Sequence, residues 1–140
     1  MNNQTNDLKS ILKSANQSLT SSRQLVFNSL KLHDPLSMSE LVKLCLNEVD
    51  RATVYRVIKL YEDLGIVQRV PVGWKYKLEL SEKFSHHHHH LTCLNCSKII
   101  DITPPENIEL DIMRLAKDYG FEVRSHQIEI SGVCKDCVKK

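Results

Sequence analysis

A chain of 140 residues, 41% of them hydrophobic, has room for one domain or two small ones, and no apolar run in it is long enough to cross a bilayer. Met1 to Lys9 is polar and lacks the apolar stretch of a signal peptide, so a cytoplasmic location is expected, where cysteines serve as metal ligands or redox groups and not as a disulfide framework. The net charge of +2 is unevenly placed: residues 1–80 hold 11 Lys/Arg against 8 Asp/Glu and residues 81–140 hold 8 against 9, which hints at an anionic partner for the first part.

Leu8, Ile11, Leu12 and Ala15 recur at helical spacing, and Thr20 to Ser22 open a second helix carrying Leu25, Val26 and Leu30. Asp34-Pro35 stops that helix, because proline lacks a donor and biases its predecessor away from the α region. Ser37-Met38-Ser39-Glu40 is a capping box for a third helix through Leu41, Val42, Leu44 and Cys45. Asp50 caps a fourth, roughly Arg51 to Leu64, closed by Gly65 at the left-handed position. Val54, Val57, Ile58, Tyr61 and Leu64 share one side of it, leaving Ala52, Tyr55, Arg56, Lys59 and Asp63 outward. Ile66 to Val70 and Lys75 to Leu80 read as strands joined through Pro71-Val72-Gly73-Trp74. Helices followed by a two-stranded ribbon is the order of a winged helix-turn-helix, whose last helix enters the major groove of DNA. An ordinary solvated helix face would give the same pattern at Tyr55, Arg56 and Lys59.

Residues 81–85 read as a linker between a winged-helix domain, 1–80, and a second domain, 86–140. That domain has a short strand from Leu91, a CxxC knuckle, a strand from Lys98 to Ile102, and a helix started by Pro104-Pro105-Glu106 and ended at Gly120. Phe121 to Ser131 alternates as a last strand, with His126, Ile128 and Ile130 on one face. The fold class expected is α+β: a winged helix-turn-helix followed by a small α/β domain.

Cys93-Leu94-Asn95-Cys96 and Cys134-Lys135-Asp136-Cys137 form two CxxC pairs, and two such turns complete a closed tetrahedral S4 shell for structural zinc. A redox CxxC needs only one such motif, near a βαβ pattern. Cys45, on the apolar side of the third helix, reads as a buried small residue. His86 to His90 is a run of five imidazoles; tags sit at termini, whereas this run lies mid-chain. In an extended segment His87 and His89 point one way and His86, His88 and His90 the other, so one strand can serve two metal sites. Candidate partners for the first are Glu109, on the rim of the helix's apolar face, and His126. For the second they are Asp101, Glu79 and His33. Nitrogen and carboxylate donors without thiolates suit zinc or iron(II).

Ala52-Thr53-Val54-Tyr55-Arg56, Gly65-Ile66-Val67, the histidine run leading into Leu91-Thr92-Cys93-Leu94-Asn95-Cys96, Gly120-Phe121 to His126, and Gly132-Val133-Cys134 together resemble the ferric uptake regulator family of metal-dependent repressors. The resemblance covers nearly the whole chain. It implies a cytoplasmic homodimer acting on a double-stranded DNA operator, with zinc held by the four cysteines. It also implies one regulatory metal site at His87, His89, Glu109 and His126 and another at Glu79, His88, His90 and Asp101, with Tyr55 and Arg56 as DNA contacts. Ser97 stands where the family commonly has glycine, and His89 where iron-sensing members often have aspartate. Iron, zinc, manganese, nickel and peroxide are all sensed within the family. Rival readings are a peroxide-sensing member, a zinc-dependent hydrolase or deaminase, and a histidine-rich metal buffer. The deaminase signature, H-x-E with P-C-x-x-C, is absent from the sequence, and a buffer leaves the winged-helix half without a task.

Overall fold

The computed structural model describes residues 2–139, which divide into one compact unit ending at His86 and a second beginning at His87. The first contains α1 (Asn2–Ser14), α2 (Ser21–Lys31), α3 (Met38–Cys45), α4 (Arg51–Asp63), β1 (Val67–Val72) and β2 (Lys75–Leu80). The second contains β3 (His89–Cys93), β4 (Ile99–Ile102), α5 (Glu106–Asp118), β5 (Glu129–Gly132) and the short α6 (Lys135–Val138). Among the described residues no helix is long and apolar enough to cross a membrane.

The helix boundaries of the first unit follow from local chemistry. The hydroxyl of Thr20 accepts from the Arg23 N–H at the start of α2. Both halves of the α3 capping box form: the Glu40 N–H donates to Ser37 Oγ at 3.2 Å, and the Ser37 N–H donates to Glu40 Oε2 at 2.7 Å. Asp50 Oδ1 accepts from the Thr53 N–H at 2.9 Å, and Gly65, at φ +65°, closes α4 in the left-handed region where a Cβ is penalised. The second helix ends at Lys31, ahead of the Asp34-Pro35 stop.

The apolar faces of the four helices and the ribbon share one core, with Leu8, Leu12, Val26, Leu41, Val54, Tyr61, Ile66 and Leu78 all inaccessible to solvent. Burying each such aliphatic side chain contributes about 1.5–3 kcal/mol over leaving it exposed. The Tyr61 hydroxyl, carried into this core, donates to the Arg23 carbonyl at 2.7 Å. Strand β1 continues through Pro71 and Val72, so the hairpin turn is only Gly73-Trp74 and not the four residues expected. Gly73, at φ +59°, supplies the first central position of a type II′ turn. Trp74 stands fully exposed at the tip.

The segment 81–85 is held by this unit and does not hang between two. Phe84 is buried and meets Phe27 edge-on with ring centroids 5.0 Å apart, its carbonyl accepts from Gln4 at 2.6 Å, and the Ser81 hydroxyl donates to the Gly65 carbonyl at 2.7 Å.

In the second unit the sheet order is β4-β3-β5, with β3 antiparallel to β4 and parallel to β5. The parallel pairing requires a crossover, which α5 supplies. The last strand covers only Glu129–Gly132, much less than Phe121 to Ser131. One reason is local: the Ile128 N–H, next in line for a ladder bond, donates to the imidazole Nδ1 of His89 at 2.9 Å. No side chain of α5 is buried in the single chain, and Ile100, Leu115, Phe121 and Ile130 are all exposed. Ile130 is among these exposed apolar residues. It shares a cross-strand row with Leu91 and Ile100 that the single chain leaves open.

Candidate metal centre

The middle strand β3 positions the chemistry. Its register puts His90 opposite Asp101 on one side and opposite Glu129 on the other, and Leu91 between Ile100 and Ile130. Because successive side chains alternate, the His90 row and the Leu91 row face opposite ways. The alternation extends upstream of the strand proper: His87 stacks edge-on with His89 at 4.5 Å between ring centroids, and His88 with His90 at 4.9 Å.

Ligand atoms of His87, His89, Glu109 and His126 all lie within 4.8 Å of one another. Glu109, in the first turn of α5, is the hub. Its Oε1 is 2.6 Å from His89 Nε2 and 3.5 Å from His87 Nε2, and its Oε2 is 2.5 Å from His126 Nε2. Hydrogen bonding to His89 first, and to His126 next, holds the Glu109 carboxyl below the usual carboxylate range. A carboxylate gathered with three imidazole nitrogens is a donor set that fits a borderline divalent ion.

On the other face, His90 is fully buried and His88 nearly so, while Asp101 is exposed. His90 Nε2 is 3.7 Å from Asp101 Oδ1, and His90 Nδ1 is 2.8 Å from Glu129 Oε1. Glu79 belongs to β2 of the first unit, opposite Gln68, whose amide donates to Glu79 Oε1 at 2.7 Å. His33, also in the first unit, donates Nδ1–H to the Ser29 carbonyl at 2.7 Å, which leaves Nε2 as its acceptor nitrogen.

The four cysteines come together at the far end of β3. Ligand sulfurs of Cys93, Cys96, Cys134 and Cys137 lie within 4.8 Å of one another, with Cys96 Sγ and Cys134 Sγ 3.8 Å apart. The parallel pairing of β3 with β5 accounts for this, since both CxxC turns follow strands that end side by side, Cys93 opposite Gly132. The Cys134 N–H donates to Cys93 Sγ at 3.3 Å. Backbone N–H groups, that of Cys134 foremost and then that of Cys96, lower the Cys93 thiol to about 6. Cys137 is pushed up to about 12, chiefly by its hydrogen bond with Cys134. Sulfurs this crowded resist joint ionisation unless a cation sits among them, and the set fits a tetrahedral thiolate-bound ion. Cys45 is apart from them, buried beside Ser29 with Sγ 3.8 Å from the hydroxyl.

On α4, Tyr55, Arg56 and Lys59 are exposed while Val54, Val57, Ile58 and Tyr61 are buried. Arg56 donates to Thr53 Oγ1 at 3.0 Å, and Lys59 pairs with Asp63 at 2.6 Å. Arg51, which the face pattern did not single out, reaches the Tyr55 hydroxyl at 3.4 Å, with its guanidinium 5.5 Å from the ring centroid. Glu129 was missed as well. Its only signal in the sequence is a carboxylate on the face opposite Ile128 and Ile130, and which strand lies beside it cannot be read from spacing.

Fold and ligand groups together define a winged-helix protein joined to a unit bearing thiol and histidine–carboxylate clusters. The pattern of the ferric uptake regulator family matches residues 14–131, and the chain belongs to that family. It is 36% identical over 104 residues to the ferric uptake regulation protein of Yersinia pestis, covering 71% of this chain and 68% of that one. It is 37% identical over 93 residues to the peroxide-responsive repressor PerR of Staphylococcus aureus, covering 64% of this chain and 58% of the repressor. The crystal structure of the Vibrio cholerae ferric uptake regulator, described as revealing a rearrangement of its DNA-binding domains, superimposes with a TM-score of 0.75 at 31% identity, over 96% of this chain and 100% of that one.

Proposed function

We propose that this chain is a metal-responsive, DNA-binding transcriptional repressor and not an enzyme, acting in the cytoplasm as a homodimer on genes of metal uptake or homeostasis. The observation that carries the reading is the pair of histidine–carboxylate groups on opposite faces of one short strand, in a chain whose other half is a winged helix. In this reading Cys93, Cys96, Cys134 and Cys137 hold a structural zinc. His87, His89, Glu109 and His126 hold one regulatory ion. Glu79, His88, His90 and Asp101 hold the other, with His33 a candidate further donor whose tautomer suits ligation. Tyr55 and Arg56 read bases of a double-stranded operator and Lys59 meets phosphate. The open row of Ile100, Leu91 and Ile130 and the uncovered α5 are the surface that a second copy buries.

A ligand shifts a conformational equilibrium only by its differential affinity for the two states. An ion that took donors from both units would supply such a difference, because its binding would depend on how the units are arranged. Imidazole-rich donors suit zinc or iron(II), and His89, in place of a harder carboxylate, makes zinc the proposed effector. A peroxide-sensing regulator is the second reading, favoured by the likeness to the staphylococcal repressor.

Operator binding titrated against buffered free zinc and, anaerobically, free iron(II) tests this, in the wild type and in His89→Ala and His90→Ala. Zinc-stimulated binding that both variants lose, while keeping their thiol-bound zinc and their dimer, is expected. A full response in the variants sinks the switch. A response to iron(II) alone that peroxide abolishes replaces the zinc sensor by a peroxide sensor.

A further inference from the structure

We infer that Glu129 is a positioning residue for His90, fixing the imidazole so that Nε2 is the nitrogen offered to metal. The inference rests on the metal-binding reading of the His88, His90 and Asp101 face given above. His90 is inaccessible to solvent in the centre of the sheet, so its protonation pattern is set by protein groups. Its two nitrogens meet different carboxylates, Nδ1 with Glu129 Oε1 at 2.8 Å and Nε2 with Asp101 Oδ1 at 3.7 Å. A carboxylate oxygen accepts, so the 2.8 Å contact with Glu129 Oε1 places a proton on Nδ1 and makes Nε2 the nitrogen that can be offered to an ion. Gln127 Nε2 lies 3.2 Å from the same Nδ1; with Nδ1 protonated, the Gln127 amide is turned the other way, so that its oxygen accepts from the N–H.

The second observation is on Glu129 itself. Its Oε2 is buried and has no hydrogen-bond partner among the described residues. A carboxylate spending one oxygen on a neutral ring and burying the other is poorly compensated. An ion on Nε2 makes the Nδ1–H a stronger donor and places positive charge near the carboxylate, so metal and Glu129 stabilise each other through the ring. By linkage, removal of Glu129 must weaken the metal as much as metal strengthens the Glu129–His90 bond. The cross-strand register explains why Glu129 can do this, since β5 runs parallel to β3 with Glu129 directly beside His90.

The test uses the full chain with its thiol-bound zinc in place. Long-range 1H–15N spectra of the metal-free histidine sites at about pH 8 read the His90 tautomer directly, and competition with a chromophoric chelator gives the zinc affinity of the His90-dependent site. Expected are an Nδ1-protonated His90 in the wild type and, in Glu129→Ala, a mixed tautomer with zinc affinity reduced about 10–100-fold. An Nε2-protonated His90 in the wild type overturns the inference with no variant needed. So does a folded Glu129→Ala with wild-type affinity. His90→Ala separates the two levels: if it leaves every zinc-binding step unchanged, the metal-binding reading of this face fails. If it weakens one step that Glu129→Ala does not, only the role of Glu129 fails.

Discussion

His89 and His90 are consecutive and both fully buried, yet their rings meet different carboxylates, His89 Nε2 at 2.6 Å from Glu109 Oε1 and His90 Nδ1 at 2.8 Å from Glu129 Oε1. One peptide bond separates two histidine–carboxylate groups because strand geometry sends neighbours to opposite faces. The strand is therefore a partition, and each face can be altered with limited effect on the other.

At the far end of that strand, Cys134→Ser is expected to release the zinc, of which about one per chain should be measured in the purified wild type. Loss of one thiolate opens the shell and removes the tie between the two CxxC turns, so the second unit should unfold or dissociate. Metal analysis with sedimentation checks both, and a variant that keeps zinc and dimer rules out the closed S4 site.

Ile130 and Leu115 are 52% and 60% exposed in the single chain, although both are large and apolar. If a second copy covers them, Ile130→Glu or Leu115→Glu should shift sedimentation from dimer to monomer at micromolar concentration, with the first unit's helical signal retained. Unchanged dimers would place the interface elsewhere.

On α4, Tyr55→Ala and Arg56→Ala should each weaken specific operator binding by about 1–3 kcal/mol, leaving metal content alone. Lys59→Ala should weaken all sequences alike and lower the salt dependence. Operator affinity that survives the double replacement of Tyr55 and Arg56 would take this helix out of the groove.

The local signals were the ones legible in the sequence. The Ser37/Glu40 capping box, the Asp50 cap, the Gly65 stop and the alternation of the histidines each depend on residues a few positions apart. The extent of β5, the place of Glu129 beside His90 and the burial of Phe84 depend on which segments become neighbours, and no periodicity encodes that. The alternation at Ile128 and Ile130 marks an apolar face, but what covers that face cannot be read from periodicity.

Glu40 gives a pH prediction. The Ser37 N–H, and then the Ser37 hydroxyl, hold its carboxyl below its ordinary 4.5. Its folded value is depressed, so its contribution is complete above that ordinary value and is lost as pH falls through the lower folded one. The stability gap between wild type and Glu40→Ala should therefore be constant near neutrality and shrink below pH 4.5 in thermal melts. Ser37→Ala should cost about 1 kcal/mol. A gap that widens in acid would contradict the capping role.

Ser97, just past the first CxxC, has φ +61°. A left-handed L-residue carries about 1–2 kcal/mol of strain, partly balanced by the extra unfolded-state entropy that glycine would bring. Ser97→Gly should therefore leave stability unchanged or raise it by up to about 1 kcal/mol, with zinc held at least as tightly. Destabilisation would mean that the serine side chain has a role the backbone angle does not reveal.

The places of the imidazoles along β3 are fixed by their distance from Leu91, which sits in register with Ile100 and Ile130, and not by which histidine fills them. Five identical side chains precede Leu91 and four of them belong to the two groups. Shortening the run by one residue would still present an imidazole at all four places, with the change absorbed toward Phe84. A repeat of this kind offers imidazole at every place, which suits borderline ions over hard ones but grades no further among them. Finer discrimination has to come from the surroundings that do not repeat, namely Glu109, Asp101 and Glu129, and those are where a change of metal preference would be written.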